Sequence, residues 1–176
     1  NRACTNATTV AGGRFNCAFG ENSTVAGGEY NKSTGNYSFT GGGSGNTASG
    51  YMAVVSGGYY NTASGSHSFV GGGGCSLTPN AATATHATVV AGAFNTASGN
   101  CSTIGGGQCN TASGYFSLTG GGCSNSATNF GTVSGGGGNS VTVAFGTVGG
   151  GQNNLVCGSY ATVIGGNSNT ASGSFS

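Results

Sequence analysis

Charge is almost absent from this chain of 176 residues, in which only 3% of the side chains are charged. The sequence has no Asp, and every charged residue precedes Ser33. Paired carboxylates for acid–base catalysis, carboxylate cages for divalent cations and basic grooves for nucleic acids all need residues that this chain lacks. We therefore expect no enzyme activity, no cofactor, no catalytic or metal site and no nucleic-acid partner.

Tryptophan and long apolar runs are also absent, and the only proline is Pro79. No apolar stretch is long enough to span a bilayer, and the start of the chain does not resemble a signal peptide. We therefore expect no membrane insertion. The chain does hold 7 cysteines, a content that favours an oxidising compartment in so small a protein. We predict a secreted protein, located at a cell surface or in an extracellular fibre.

What the chain has in abundance is a repeat of about fifteen residues, clearest from Ser159 to Gly173 as Ser-Tyr-Ala-Thr-Val-Ile-Gly-Gly-Asn-Ser-Asn-Thr-Ala-Ser-Gly. A fixed period of this kind is typical of stacked, solenoid-like proteins. Each repeat holds two short β-prone stretches separated by Gly and Asn, which are common turn residues. The sequence therefore predicts an all-β fold, a parallel β-solenoid or β-roll of about eleven 15-residue coils with glycine-rich turns.

The repeat predicts one domain over residues 1–176, with coils from 6 to 173. Aligning the repeats places a five-residue insertion, and hence a surface loop, at about 75–85. The same alignment makes the coils 86–99 and 145–158 one residue short. Residues 174–176 match the opening of a further repeat, so we expect an unfinished last coil. Ser174, Phe175 and Ser176 are then candidates for a head-to-tail contact with another copy.

Two neighbouring columns of the aligned repeats are apolar. Adjacent residues of a strand point to opposite faces, so one column must face solvent unless a twist or bulge turns both inward. Aromatic residues at the first two repeat positions, such as Tyr37 and Phe116, would extend that surface. The fourth position predicts an exposed apolar stripe for self-association, formed by Phe39, Val54, Phe69, Val89, Leu118, Val133 and Val148.

The cysteines offer two candidate disulfides in this register. Cys109 and Cys123 fall one column apart on adjacent coils, which is compatible with a bond. Cys4 and Cys17 fall two columns apart on adjacent coils and are the second candidate pair. An odd number of cysteines leaves at least one thiol free or bridging to another subunit. No Cys-x-x-Cys spacing points to zinc.

Ser23-Thr24-Val25-Ala26-Gly27-Gly28, followed by Asn31-Lys32-Ser33-Thr34-Gly35, resembles the head repeats of trimeric autotransporter adhesins, the YadA-like family. The resemblance extends over nearly the whole chain. It implies a left-handed parallel β-roll in which three chains pack side by side. It also implies an extracellular location and adhesion to a host surface.

These features support function hypotheses from different classes. The first is an extracellular structural protein that self-assembles into a fibre or adhesive surface layer through uncapped solenoid ends and the apolar stripe. Its partners would be copies of itself and a host or environmental surface. The second is an ice-binding solenoid with a flat hydroxyl face formed by Thr47, Thr62, Thr96, Thr111 and Thr170. A segment of a phage tail fibre shares these features and is a third alternative.

Overall fold

The computed structural model describes residues 1–75, 77 and 79–176, and the regular structure in these residues consists of strands two residues long. The strands form two parallel sheets, of twelve and eleven strands, and the chain alternates between them. Each strand pairs with the equivalent strand of the next coil; for example, Thr47 pairs with Thr62. The prediction of a parallel β-solenoid is therefore confirmed. Eleven steps of about 4.8 Å give a rod on the order of 50 Å long.

The strands of the first sheet are Arg2–Ala3, Cys17–Ala18, Lys32–Ser33, Thr47–Ala48, Thr62–Ala63, Ala81–Ala82, Thr96–Ala97, Thr111–Ala112, Ser126–Ala127, Ser140–Val141, Leu155–Val156 and Thr170–Ala171. Those of the second sheet are Thr9–Val10, Thr24–Val25, Phe39–Thr40, Val54–Val55, Phe69–Val70, Thr88–Val89, Thr103–Ile104, Leu118–Thr119, Thr132–Val133, Thr147–Val148 and Thr162–Val163.

The observed register corrects the predicted coil boundaries. Phe69 pairs with Thr88, nineteen residues later, so the insertion has four residues rather than five. The inserted segment ends earlier than predicted, because Asn80 is buried and Ala81–Ala82 is a strand. Part of the predicted loop, residues 76 and 78, lies outside the described residues.

One coil is short, and it is neither of the two predicted. Leu118 pairs with Thr132, fourteen residues later, and the first sheet shows the same step from Ser126 to Ser140. Thr147 and Thr162, across the predicted short coil 145–158, are fifteen residues apart. The missing residue therefore lies between Ala127 and Thr132. A one-residue shift would exchange the two faces of each strand and bring the buried valines of the second sheet to the surface. Their burial therefore selects this register.

The interior is narrow, and the second residue of each strand points into it. In the central coils the first sheet contributes alanines such as Ala63 and the second sheet contributes larger residues such as Val70 and Ile104, all with 0% exposure. A small residue opposite a larger one fills a narrow interior at constant width. In one coil both inward residues are polar, and Ser33 Oγ lies 2.8 Å from Thr40 Oγ1. Their mutual hydrogen bond satisfies both buried hydroxyls.

In each coil from Asn16 to Asn154, an asparagine directly precedes the strand of the first sheet, and these asparagines form a column along the rod. In Asn95, Nδ2 donates to the carbonyl oxygens of Ala91 (3.1 Å) and Gly107 (2.9 Å), and Oδ1 accepts from the backbone N–H of Asn110 at 3.0 Å. Each amide thus joins its own turn to the next coil and leaves no polar group unpaired. The column is fully buried at Asn16, Asn31, Asn46, Asn61, Asn80, Asn95, Asn110, Asn125, Asn139 and Asn154.

The chain turns at two corners where the backbone is left-handed. In the described residues, 20 non-glycine residues have φ between 52° and 62°, and all of them lie at these corners. Strand N–H groups donate to the following coil, whereas the corner residue donates to the preceding one, as Tyr60 does to Ser44 O at 2.9 Å. The left-handed region is unfavourable for L-residues other than Gly, Asn and Asp. The hydrogen bond between coils and the packing between corner side chains therefore have to stabilise this left-handed conformation.

Candidate interaction surfaces

The predicted apolar stripe is not continuous. Val89, Val133 and Val148 have 0% exposure and belong to the interior. In these coils the outward residue is a threonine instead. The prediction is wrong at these three positions because the coil boundaries were misplaced by one residue, which exchanges the inner and outer faces.

The apolar part of the outward column is a short patch. Phe39, Val54 and Phe69 lie side by side on consecutive coils of the second sheet, and Phe39 is 38% exposed. Leu118, 40% exposed, is separated from them by two threonines, Thr88 and Thr103. A patch of three coils is too small to act as an assembly stripe along the whole rod.

A row of mostly aromatic and mostly exposed side chains runs along the first corner, just before the second sheet. We call it the aromatic corner; it is formed by Tyr37, Met52, His67, His86, Cys101, Phe116, Phe130, Phe145, Tyr160 and Phe175. The ring centroids of Phe130 and Phe145 are 4.7 Å apart, and those of Phe145 and Tyr160 are 4.8 Å apart. Interplanar angles of 14° and 6° make these contacts parallel stacks. The spacing equals the distance between coils.

At the second corner, just before the asparagine column, the row of stacked rings is interrupted. Phe15 and Tyr30 stack with centroids 4.9 Å apart. The next residue in the column is Gly45, which is followed by Tyr60. After Phe94, polar and small residues replace the rings, as at Ser124 and Gly138. The two corners therefore share a backbone conformation but differ in surface chemistry.

The predicted hydroxyl face lies on the first sheet. Thr47 pairs with Thr62, and Thr96 pairs with Thr111, while Ala81 occupies the coil between these two pairs. Thr170 is set apart from the others by three coils that carry Ser126, Ser140 and Leu155. Beside the threonines runs an exposed column of hydroxyl residues: Ser49, Ser64, Thr83, Ser98 and Ser113. Five consecutive coils thus present a regular lattice of small, uncharged, largely polar side chains.

The few charges are confined to the N-terminal coils. Arg14 and Glu29 form an ion pair on the side of the rod between the second sheet and the second corner. Lys32 points outward from the first sheet, and no ion pair joins it to another described residue. From Ser33 onward, the rod has no charged side chain. Long-range electrostatic steering of a partner to this part is therefore negligible.

Neither candidate disulfide is formed, since all four cysteines are unbonded. Cys17 pairs with Arg2, which places Cys4 two residues beyond it on the neighbouring coil. Such positions are separated by roughly 8 Å between Cα atoms, more than a disulfide spans. The Cys4–Cys17 prediction is therefore wrong. Cys123 forms a bridge with Gln108, which precedes Cys109, so these two cysteines do lie one column apart on adjacent coils.

The two histidines stack on each other within the aromatic corner, with ring centroids 4.9 Å apart. In the residues that the structure describes, no three His, Cys, Asp or Glu side chains are grouped in a way that could hold a metal ion. No helix in this part of the chain has the length and apolar character needed to cross a membrane.

Ser174, Phe175 and Ser176 pack onto the preceding coil. Phe175 stacks on Tyr160 with centroids 5.0 Å apart. The carbonyl oxygen of Ser176 accepts the N–H of Thr162 at 2.7 Å. A head-to-tail contact through these residues stays a prediction.

No model of a known protein family matches the chain, and no curated protein sequence matches it either.

Proposed function

We propose that the protein is an extracellular structural rod that associates side by side with copies of itself to form a fibre or adhesive layer. The aromatic corner is the observation that supports this function most. Phe116, Phe130, Phe145 and Tyr160 are 41–53% exposed on consecutive coils. Exposed apolar surface of this extent favours association over the monomer. The cysteine content and the resemblance of the repeats to YadA-like heads support the secreted location.

A second copy is the partner that fits this corner best. Its rings recur at the same coil spacing, so two such rows of rings can pack against each other coil by coil along their length. The rod around these four residues carries no charge, so no repulsion opposes the approach of an identical copy. A charged partner would find nothing to pair with there.

The test replaces the four rings by asparagine: Phe116→Asn, Phe130→Asn, Phe145→Asn and Tyr160→Asn. Asparagine tolerates the left-handed backbone and already occupies the equivalent position at Asn22. The matched control introduces asparagine at three rings of the second corner, Phe15, Tyr60 and Phe94. Sedimentation velocity and electron microscopy should show associated rods for the parent and the control, and single rods for the fourfold variant.

Three outcomes bear on this proposal. A parent protein that is a monodisperse monomer, with no rods in micrographs, contradicts it. Association that is unchanged by the four asparagines removes the aromatic corner from it. Filaments much longer than one rod, unaffected by those substitutions, would instead support a head-to-tail contact through the ends of the solenoid.

A second candidate function, ice binding, is favoured by the hydroxyl lattice of the first sheet. Thr47, Thr62, Thr96 and Thr111 share one face, with exposed serines two residues further along the chain. Rows about 4.8 Å apart with a strand repeat of about 6.6 Å give a flat, uncharged array. Hydroxyls fixed at regular distances can hold ordered water by hydrogen bonds.

Thermal hysteresis measurements test this second candidate directly. Thr62→Leu combined with Thr96→Leu should abolish activity, whereas Thr132→Leu and Thr147→Leu on the outward face of the second sheet should leave it unchanged. A parent protein with neither thermal hysteresis nor inhibition of ice recrystallisation rules the candidate out.

A further inference from the structure

The break in the second corner creates a slot one ring wide. Adjacent rings of this column stack about one coil apart, as Phe15 and Tyr30 do at 4.9 Å. Tyr30 and Tyr60 are separated by the coil of Gly45, which has no side chain, so the backbones of the two tyrosines are roughly 10 Å apart along the rod. That is twice the distance between stacked rings. The missing side chain leaves an open space between the two tyrosines, into which a flat ring can enter.

The slot is a formed cavity of about 280 Å³, lined by Tyr30, Lys32, Gly45, Thr47 and Tyr60. Tyr60 leans over Gly45, since a Cβ at this glycine would come within 3.1 Å of the Tyr60 ring. The two tyrosines thus form the walls, and the backbone at Gly45 forms part of the floor. Both tyrosines are about half exposed, so the cavity opens to solvent along the corner.

The polar groups of the cavity select a negatively charged ligand. Lys32 lines one side and, within the described residues, forms no ion pair with a carboxylate. Glu29, next to Tyr30, is already paired with Arg14. Thr47, the strand partner of Lys32, also lines the cavity and carries a hydroxyl group that can donate a hydrogen bond. A side chain from another copy would suit the site poorly, because Glu21 and Glu29 are the only acidic side chains in the chain.

We propose that this slot binds a planar aromatic ring carrying a carboxylate or another anionic group, stacked between Tyr30 and Tyr60 with the anion on Lys32. The site is distinct from the aromatic corner and does not depend on self-association. It would give a rod with few charged side chains one point of selective attachment to small anionic aromatic molecules or to surfaces that display them.

The test uses 2-naphthoate as the probe and equilibrium dialysis or calorimetry as the readout. Saturable binding at one site per chain is expected, weakened by added salt because one ion pair contributes. Neutral 2-naphthamide should bind more weakly, and the non-planar cyclohexanecarboxylate more weakly still. The Lys32→Gln variant should lose the preference for naphthoate over naphthamide.

Gly45→Tyr is the decisive variant. It places a ring in the slot at a φ of +70°, close to the values that Tyr30 and Tyr60 adopt, and the Tyr60 ring has to shift by a few tenths of an ångström to admit it. Naphthoate affinity should fall at least tenfold, because stacking on both tyrosines is lost. Gly138→Tyr, at the same corner position with φ +65°, is the control and should bind as the parent does.

The proposal is wrong if naphthoate shows no saturable binding, or if Gly45→Tyr binds as tightly as the Gly138→Tyr control. If circular dichroism shows that Gly45→Tyr does not fold, Tyr30→Ala takes its place. Unchanged naphthoate affinity in both Tyr30→Ala and Lys32→Gln would then overturn the assignment.

Discussion

The buried asparagine column and the exposed aromatic corner both follow the rod axis with one residue per coil, yet they differ in how much variation they accept. Every coil from Asn16 to Asn154 has asparagine in the buried column. The corresponding positions of the first corner include Phe, Tyr, His, Met, Cys, Ala and Asn. The two columns lie on the same backbone repeat, so the repeat itself does not explain the difference.

Hydrogen-bond geometry explains it. The buried position needs two donors towards carbonyl oxygens and one acceptor for an N–H, in a space closed to water. Asparagine alone combines these groups at this length, since aspartate lacks the donors and glutamine is longer. The corner needs only a side chain that accepts a left-handed backbone and covers the turn. Buried polar groups therefore restrict the sequence of this solenoid more strongly than its exposed rings do.

Breaking the buried column should have the largest effect. In Asn95→Ala, the carbonyls of Ala91 and Gly107 lose a donor and the N–H of Asn110 loses its acceptor. The Gly107 carbonyl keeps a backbone N–H partner, so two groups are left unpaired. Because each buried unpaired group costs about 1–3 kcal/mol, we expect the free energy of unfolding to fall by roughly 2–6 kcal/mol. Urea unfolding followed by circular dichroism measures it. The exposed Asn100→Ala is the control, and an equal loss in both variants would contradict this explanation.

The second largest effect should come from replacing an inward-facing residue of the second sheet, compared with its outward-facing neighbour. Val54 and Val55 are adjacent and chemically identical, but only Val55 is fully buried. Val55→Ala leaves a cavity and should lower the free energy of unfolding by about 2 kcal/mol. Val54→Ala should stay within about 0.5 kcal/mol of the parent, as is usual for a surface position. Equal losses in the same denaturation experiment would show that the register of this sheet is wrong.

The repeat in the sequence was enough to predict parallel sheets and stacked coils, because period and turn residues are local signals. The outward-facing apolar stripe was harder to predict from the sequence. At Val89, Val133 and Val148 a misplacement by one residue exchanged inside and outside, and only the pairing of strands across coils determines that register. Where an insertion or a deletion interrupts the repeat, the period of the sequence alone does not show which residues pair across neighbouring coils.

The asparagine column was visible in the sequence but was interpreted as turn punctuation, which is the usual role of asparagine. Its recurrence directly before the Thr-Ala strand, as at Asn46 and Asn61, is the signal that could have identified it. The left-handed aromatic residues could not have been predicted from propensity. Phe and Tyr disfavour that conformation, and the stacking that accompanies it forms only between coils.

A smaller effect should distinguish a stacked ring from an isolated one. Phe145 stacks on Phe130 and Tyr160, whereas Phe94, at the same φ of 60°, has no ring contact with another described residue. Phe145→Ala should lower the free energy of unfolding by about 1–2 kcal/mol more than Phe94→Ala, because two stacks are lost. Chemical denaturation of both variants measures this difference. Equal effects would mean that stacking does not stabilise the corner.

The smallest effect should come from the only ion pair among the described residues. Glu29→Gln removes the carboxylate that Arg14 contacts, while the Arg14 guanidinium keeps its place 5.3 Å from the Phe15 ring centroid. The Arg14 side chain is 70% exposed, so water screens the pair. The loss in free energy of unfolding should be below about 1 kcal/mol and should vanish in about 1 M salt, where the Debye length is about 3 Å. A loss that persists at high salt would show that Glu29 stabilises the coil through packing or hydrogen bonds, and the contrast between a demanding interior and a tolerant surface would then not hold for this side of the rod.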